Sequence, residues 1–327
     1  MAILLSLILG VLPAFFYALI IYWLDRYEKE PLLLLGAVFI WGAVFAAGGA
    51  FILNTTFGIG VFLLTGSEGT TELATGSVSA PLVEESLKGL AVLIVFLLFR
   101  KEFDSLLDGV VYAGVTALGF AATENSFYIW QFGASEGGLS EILLIAFVRN
   151  VLVGWQHPFY TAFIGIGLAV TRTTRSALLK GAAPILGWGA AVVTHSIHNT
   201  LATVVGGLGG LALGTLLDWT GWLFMFILII WFIAREQNYL RHYLAEEVKL
   251  EVLSQEQYRT ACSALTASVA RFNALFSGRY LATNRFYQLC AELAHKKLHL
   301  HRLGEQSASA DIDLLRKEIS QLASRTV

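Results

Sequence analysis

The sequence predicts an all-α protein that crosses a membrane several times. Hydrophobic residues make up 56% of the 327 residues and charged residues only 14%, whereas an ordinary soluble domain is about a quarter charged. Polar side chains are therefore too few to cover a surface that faces water. Apolar runs of about 20 residues recur along the chain, the length that a helix needs to cross a hydrocarbon core. The net charge of −2 does not favour a nucleic-acid partner.

About seven such runs are expected to form a membrane helix bundle. We place them at residues 2–24, 32–54, 79–99, 105–130, 145–171, 181–203 and 210–234. The apolar stretch 55–66 is too short for a further span, and we interpret it as an interfacial or re-entrant piece.

Three local patterns refine these predicted helices. Ser79 is the expected N-cap of the third span. Glycines 109, 114 and 119 place small residues on the fourth span, which favours close helix packing. Pro158 is expected to kink the fifth span directly after His157.

Basic residues predict the orientation of the bundle. Lys and Arg follow the first, third, fifth and seventh spans, whereas the loops 66–78, 131–141 and 204–209 contain neither. By the positive-inside rule the N-terminus is extracytoplasmic and the C-terminal tail cytoplasmic. The protein is therefore expected in the cell membrane as a multi-pass protein.

The chain divides into a membrane core, 1–234, and a cytoplasmic helical tail, 235–327. The core holds 9 Lys and Arg against 14 Asp and Glu, and the tail 13 against 10. Helical periodicity predicts a small bundle or a long hairpin in the tail, a possible docking site for a cytoplasmic partner. Cys262 and Cys290 lack metal-type spacing and are expected to be buried, reduced thiols. The histidines around His295 are expected on a solvated face.

Three ionisable residues lie at one depth of the core. Glu85, His157 and His195 each stand 15 residues from the basic residue that ends their helix on the cytoplasmic side. At 1.5 Å per residue this is about 22 Å, in the outer half of the bilayer. Because ionisable side chains are costly in a membrane, we expect the three to share a functional site.

Nearby carboxylates have structural and functional interpretations. Glu84 and Lys88 stand four residues apart and are expected to neutralise each other. Glu85 points about 100° away around the helix, so this pairing does not account for it, and it can serve as a general base. Glu124 comes 16 residues after Asp108, which makes it either an interfacial carboxylate or a site residue. Asp108 is expected to be structural.

The histidine spans carry further polar groups. Arg149 lies about 12 Å outward of His157 and is expected to extend to the outer headgroups. Asn199 is one turn from His195, where it can orient an imidazole or hydrogen-bond an oxyanion. His198 has no assigned role. Polar contact between helices is the structural alternative for each of these residues.

These residues form ordered motifs on four spans. The motifs are Glu84-Glu85-x-x-Lys88, Asp108-Gly109-x-x-Tyr112, Gly119-Phe120-x-x-x-Glu124-Asn125, His157-x-x-x-Thr161 and His195-x-x-x-Asn199, preceded by Tyr22-x-x-Asp25-Arg26-Tyr27-x-x-Glu30-Pro31 and Trp41-Gly42. Across residues 22–203 the chain resembles the PrsW family of intramembrane proteases. It is more distantly similar to CAAX-processing and bacteriocin-processing membrane proteases. The resemblance implies cleavage of membrane-anchored proteins, anti-sigma factors being the best-known substrate type, by the glutamate pair and the membrane histidines.

Two hydrolytic mechanisms fit these residues. In one, Glu84 or Glu85 deprotonates a water while His157 and His195 polarise the scissile carbonyl, aided by Asn199. In the other, His157, His195 and Glu85 hold a zinc ion and the second glutamate is the base. The sequence contains no HExxH motif, and we favour the metal-free route with zinc as a possible cofactor.

Two other classes of protein use buried ionisable residues. An ion- or proton-coupled transporter would use them as a relay, but here they cluster at one depth and no inverted repeat accompanies them. An inactive membrane scaffold is the third interpretation, which the complete set of motifs disfavours.

Overall fold

The computed structural model describes residues 1–134, 138–304, 306 and 308–323. Every regular element in these residues is helical, which confirms the predicted all-α class. Residues 135–137 of the predicted loop 131–141 and the end of the tail lie outside the described residues. The α-helices are α1 Ala2–Leu24, α2 Leu32–Ile40, α3 Ala47–Thr65, α4 Glu68–Ala74, α5 Ala80–Leu98, α6 Leu106–Tyr128, α7 Leu139–Phe147, α8 Gln156–Thr173, α9 Ala177–Val205, α10 Gly207–Lys249, α11 Gln255–Ala261, α12 Ala264–Phe276, α13 Tyr280–Leu303 and α14 Ala308–Ala323.

Six helical stretches of the described chain are long and apolar enough to cross a membrane. They are Ala2–Leu24, Leu32–Thr65, Leu106–Gly133, Leu139–Thr173, Ala177–Val205 and Gly207–Lys249. The helix α5 also has 19 residues, but it carries Glu84, Glu85 and Lys88. The chain is therefore an integral, multi-pass membrane protein built as a helix bundle.

The chain forms two compact units. The first comprises residues 1–22, 31–172 and 176–227, and the second comprises residues 23–30, 173–175 and 228–327. The last boundary between the two units falls between residues 227 and 228, inside α10. The boundary predicted at residue 234 lies in the same helix.

Helix α6 is the most buried helix of the first unit, and glycines permit its close contacts. A Cβ atom at Gly109 would lie 2.3 Å from the carbonyl oxygen of Gly165 on α8. A Cβ at Gly119 would lie 2.0 Å from the carbonyl oxygen of Phe39 on α2. Since only glycine allows a backbone to approach so closely, the predicted small-residue packing of this helix is confirmed.

The region before the glutamate pair differs from the prediction. Residues Leu32–Thr65 form one helical stretch, with a π-helical turn at Trp41–Ala46, so the expectation of a re-entrant piece at 55–66 is wrong. Ser79 is also not an N-cap, because it has helical backbone angles and donates to the Asn54 Oδ1 at 2.8 Å. The N-cap lies at Ser67, which accepts from the Thr70 amide.

The fifth predicted span is broken in its middle. A π-helical turn, Val148–Leu152, ends at Val153, whose φ of −122° and ψ of 13° leave the helix. Helix α8 begins at Gln156, which places Pro158 in its first turn, where a missing N–H costs no hydrogen bond. The expected kink after His157 is therefore wrong, since the chain breaks before this residue.

Asp108 has the structural role expected of it. Its side chain accepts from the amides of Asp104 at 2.8 Å and Ser105 at 2.6 Å. The Ser105 hydroxyl accepts from the Asp108 amide in return, which completes a capping box at the start of α6.

The second unit is a helical bundle around a buried charge network. Glu247 on α10 is fully buried and accepts from Lys297 at 2.6 Å and from Arg316 at 2.9 Å. Cys262 and Cys290 are buried and unpaired, as predicted, and burial raises the pKa of Cys262 to about 11. His295 is also buried, with its Nδ1 3.0 Å from Glu28, so its expected place on a solvated face is wrong.

Candidate active site

The predicted site residues meet at one cavity of the first unit. The cavity has a volume of about 900 Å³ and lies among helices α3 to α6, α8 and α9. Five of the six predicted residues line it: Glu84, Glu124, His157, His195 and Asn199. Glu85, the sixth, is completely buried. The equal depths inferred from the sequence thus correspond to a cluster in the structure.

Glu84 presents an unpaired carboxylate oxygen to this cluster. Its Oε2 is buried and accepts no hydrogen bond from the described residues. The same atom lies 3.9 Å from His195 Nε2 and 3.8 Å from Lys88 Nζ. One atom each from Glu84, His157 and His195 lies within 4.8 Å of the other two. Glu84 therefore occupies the place among the histidines that the sequence suggested for Glu85.

Glu85 is instead a fully bonded acceptor. Its Oε1 accepts from Lys88 Nζ at 2.6 Å and lies 2.9 Å from His195 Nδ1. Its Oε2 accepts from the Thr161 hydroxyl at 2.8 Å. Lys88 therefore pairs more closely with Glu85 than with Glu84, the partner expected from the sequence, because its contact with Glu85 is shorter by more than an ångström.

Glu124 belongs to the same cluster. Its Oε2 lies 2.8 Å from His157 Nε2 and accepts from the Arg149 guanidinium. Arg149 also donates through Nε to Asn125 Oδ1 at 2.8 Å. The expectation that Arg149 extends to the outer headgroups is therefore wrong, because Arg149, on the π-helical turn Val148–Leu152, donates to Glu124 and Asn125.

His157 stands between a carboxylate and an ammonium group. Its Nε2 faces Glu124, and its Nδ1 lies 3.3 Å from Lys88 Nζ. Phe120 packs edge-on against its ring at 5.3 Å between centroids. The break at Val153 precedes the helix that begins at Gln156, so His157 projects from the first turn of α8.

A second polar group supports His195 and was missed from the sequence. The ring of Tyr160 stacks on His195 with centroids 4.9 Å apart and an angle of 21°. Tyr160 donates to Asp218 Oδ1 at 2.6 Å, and Asp218 Oδ2 lies 2.9 Å from His198 Nδ1. Asp218 is an ionisable residue inside an apolar run, a signal that the sequence contained. Asn199 donates to the Gly76 carbonyl oxygen at 2.9 Å.

The fold and the site define a multi-pass membrane helix bundle that gathers carboxylates and imidazoles at one cavity. Within that class, the chain belongs to the PrsW family of intramembrane metalloproteases, whose family model matches residues 30–232. This match confirms the resemblance seen in the sequence motifs.

Curated relatives agree with this assignment. The chain is 41% identical to Protease PrsW of Clostridioides difficile (strain 630) over 108 residues, 33% of this chain and 43% of that protein. It is 32% identical to Protease PrsW of Geobacillus kaustophilus (strain HTA426) over 156 residues, 48% of this chain and 62% of that protein. The alignments thus cover less than two thirds of both relatives. No solved structure matches the chain.

The family description implies a metal ion, and the site has suitable donors. Two imidazoles and one carboxylate, with a position left open for water, are the usual ligands of a catalytic zinc ion. Glu84 Oε2, His157 and His195 supply this set within 4.8 Å. His195 Nδ1 contacts Glu85, and His195 Nε2 faces Glu84. A histidine ligand typically has this arrangement, in which one nitrogen faces the metal and a carboxylate holds the other.

Proposed function

We propose that the chain is a membrane-embedded peptidase that hydrolyses a peptide bond of a membrane-anchored protein. The observation that carries this proposal is the convergence of Glu84, His157 and His195 at the wall of one cavity. The cavity also offers apolar side chains such as Phe51 and Phe127, which suit a substrate segment that leaves the lipid.

The donor set supports a metal-dependent mechanism. Glu84, His157 and His195 would hold a zinc ion, which when bound supplies a Lewis acid and lowers the pKa of a coordinated water. Glu85 is a positioning residue, because its contact with His195 Nδ1 orients that imidazole. The sequence named Glu85 as the glutamate ligand of this alternative, whereas here Glu84 takes that place and Glu85 positions His195.

Glu124 is a second carboxylate at the cavity, held in its charged form beside His157. Its Oε2 lines the cavity beside His157, and Arg149 donates to the same oxygen and supports its negative charge. His157 Nε2 lies 2.8 Å from this oxygen, so Glu124 helps to fix the orientation of the His157 ring. In the metal-free alternative, Glu84 takes the role of base with its unpaired oxygen.

We further propose the orientation and the substrate class. The distribution of Lys and Arg places the N-terminus outside and the tail in the cytoplasm. The site then lies in the outer half of the bilayer, where a single-pass protein of the anti-sigma-factor type would be cut near its extracytoplasmic side.

The experiment is cleavage of single-pass membrane reporters by the purified full-length protein, with its zinc content measured in parallel. Glu84→Gln is compared with Glu141→Gln, which changes a glutamate of the same unit that does not line the cavity. We expect Glu84→Gln to lose both cleavage and zinc while Glu141→Gln keeps both. Cleavage by a zinc-free wild-type protein would support the metal-free alternative, and full activity of Glu84→Gln would reject this site.

A further inference from the structure

Helix α12 of the second unit presents an apolar stripe to its surroundings. Leu265, Val269, Phe272 and Phe276 are all at least 50% exposed. Their spacings of four, three and four residues place them within about 60° of one another around the helix. No charged residue interrupts the stripe, since the single ionisable residue of α12, Arg271, is buried.

This stripe is the main exposed apolar feature of the tail. Nine large hydrophobic side chains are exposed among the described residues from 235 onward, and seven of them lie between 265 and 281. An apolar face of this kind on a soluble surface usually marks a contact with a membrane or a partner.

The opposite side of α12 is fixed to the chain that follows α1. Arg271 donates to the carbonyl oxygens of Arg26 at 3.2 Å and Tyr27 at 3.4 Å. The amide of Ala264 donates to the Tyr27 hydroxyl at 3.2 Å. These bonds hold the first residue and the middle of α12 beside residues 26 and 27. Arg271 lies about 130° around the helix from the centre of the stripe, so the stripe points away from them.

Residues 26 and 27 belong to the segment through which the chain leaves α1. They follow Leu24, the last residue of α1, which is one of the helices able to cross the bilayer. The Arg26 guanidinium covers the ring of Trp23 at 3.4 Å from its centroid. Trp and Arg at a helix end are characteristic of the interface between lipid and water. Because α12 is hydrogen-bonded to this segment, it is close to the end of α1 that carries Trp23 and Arg26.

The charge around α12 suits the same surface. Residues 255–285 contain four arginines and one glutamate. Arg279 follows the C-terminal end of α12 and is exposed. Basic residues beside an apolar helical face favour a bilayer with anionic headgroups.

We infer that α12 is an interfacial helix that inserts its apolar stripe into the leaflet at which α1 ends. Leu265, Val269, Phe272 and Phe276 contact the acyl chains, and Arg279 contacts the anionic headgroups. The lipid surface is thus the partner of this part of the tail. This inference concerns the second unit and does not depend on the proposed peptidase activity.

The test measures the surroundings of single nitroxide labels on the full-length protein in vesicles of phosphatidylcholine and phosphatidylglycerol. Cys262 and Cys290 are replaced by alanine, and Phe272→Cys and Phe276→Cys are labelled one at a time. Leu314→Cys is the matched control, because Leu314 is an exposed apolar residue of the tail outside the stripe. Collision of each label with oxygen, which concentrates in lipid, is compared with collision with a water-soluble nickel complex.

We expect the ratio of oxygen to nickel collision to be several-fold higher at 272 and 276 than at 314. Equal ratios at all three sites would show that the stripe faces water and would overturn the inference. Shielding of 272 and 276 from both reagents would overturn it too, because the stripe would then be covered by protein, such as a second copy of the chain. Leu265→Cys repeats the measurement independently of the two phenylalanine positions.

Discussion

Glu84 and Glu85 are adjacent, yet the structure predicts opposite consequences for their conversion to glutamine. Glu85→Gln removes the negative charge that pairs with Lys88 at 2.6 Å. Both side chains of this pair are completely inaccessible to water. Glu84→Gln changes a carboxylate whose Oε2 accepts no hydrogen bond from the described residues, so no donor loses its partner.

The expected loss of unfolding free energy in Glu85→Gln follows from the buried charge of Lys88, which this change leaves without its partner. Removing one member of a buried ion pair typically costs about 3–5 kcal/mol, because the other charge stays buried and uncompensated. Glutamine keeps one carbonyl oxygen, which can still accept from Thr161 or Lys88, so we expect about 3 kcal/mol for Glu85→Gln. For Glu84→Gln we expect about 1 kcal/mol or less, with loss of cleavage. The double variant Glu85→Gln/Lys88→Met should recover most of the lost stability.

The assay is reversible unfolding in mixed detergent and denaturing micelles, followed by two probes. Six of the eight tryptophans lie in the first unit, so tryptophan fluorescence reports its unfolding. A thiol-reactive dye reports the second unit, which contains Cys262 and Cys290. If Glu85→Gln proves as stable as Glu84→Gln, Lys88 and Glu85 do not form a buried ion pair and the assigned roles are wrong.

Three further predictions concern other parts of the protein. Asp218→Asn removes the charged acceptor of Tyr160. We expect it to lower cleavage or zinc affinity by about 10- to 100-fold while the unfolding free energy, measured in parallel, stays unchanged. Gly119→Ala should lower the unfolding free energy by about 1–3 kcal/mol or more, since its methyl group would lie 2.0 Å from a backbone carbonyl oxygen. The control Gly48→Ala places its methyl group in open space and should not lower the unfolding free energy in the same assay. Burial raises the pKa of Cys262 from 9.0 to about 11, so alkylation of this thiol should be slow at pH 8. For the same reason, the contribution of the thiol to the unfolding free energy should be lost as the pH rises from 9 through 11.

Regular features of the fold and the meeting of the site residues were predictable from the sequence. Helices that cross a bilayer have nearly fixed length, so distance along the chain translates into depth. Counting from basic residues therefore placed Glu85, His157 and His195 at one level. The glycines of α6 predicted close packing for a similarly direct reason, since a missing side chain is visible in the sequence.

Irregular features of the backbone were not predictable in the same way. The chain breaks at Val153, directly before Gly154, but glycines also occur inside the other predicted spans, so this residue alone did not identify the end of a helix. Arg149, on the π-helical turn before this break, contacts Glu124 instead of the headgroups. The direction of a side chain around a helix depends on every residue before it, so one extra residue in a turn changes which groups meet.

The balance of charge in the cluster explains why Glu84 is the residue to examine for a metal. Glu84, Glu85 and Glu124 contribute three carboxyl groups, whereas Lys88 and Arg149 contribute two basic side chains. The cations pair with Glu85 and Glu124 through their shortest contacts. Glu84 is thus left with an unpaired oxygen beside two imidazoles, in a place where an uncompensated charge is costly. A divalent cation at that position would compensate this charge, which is why the zinc content of Glu84→Gln tests the site independently of any substrate.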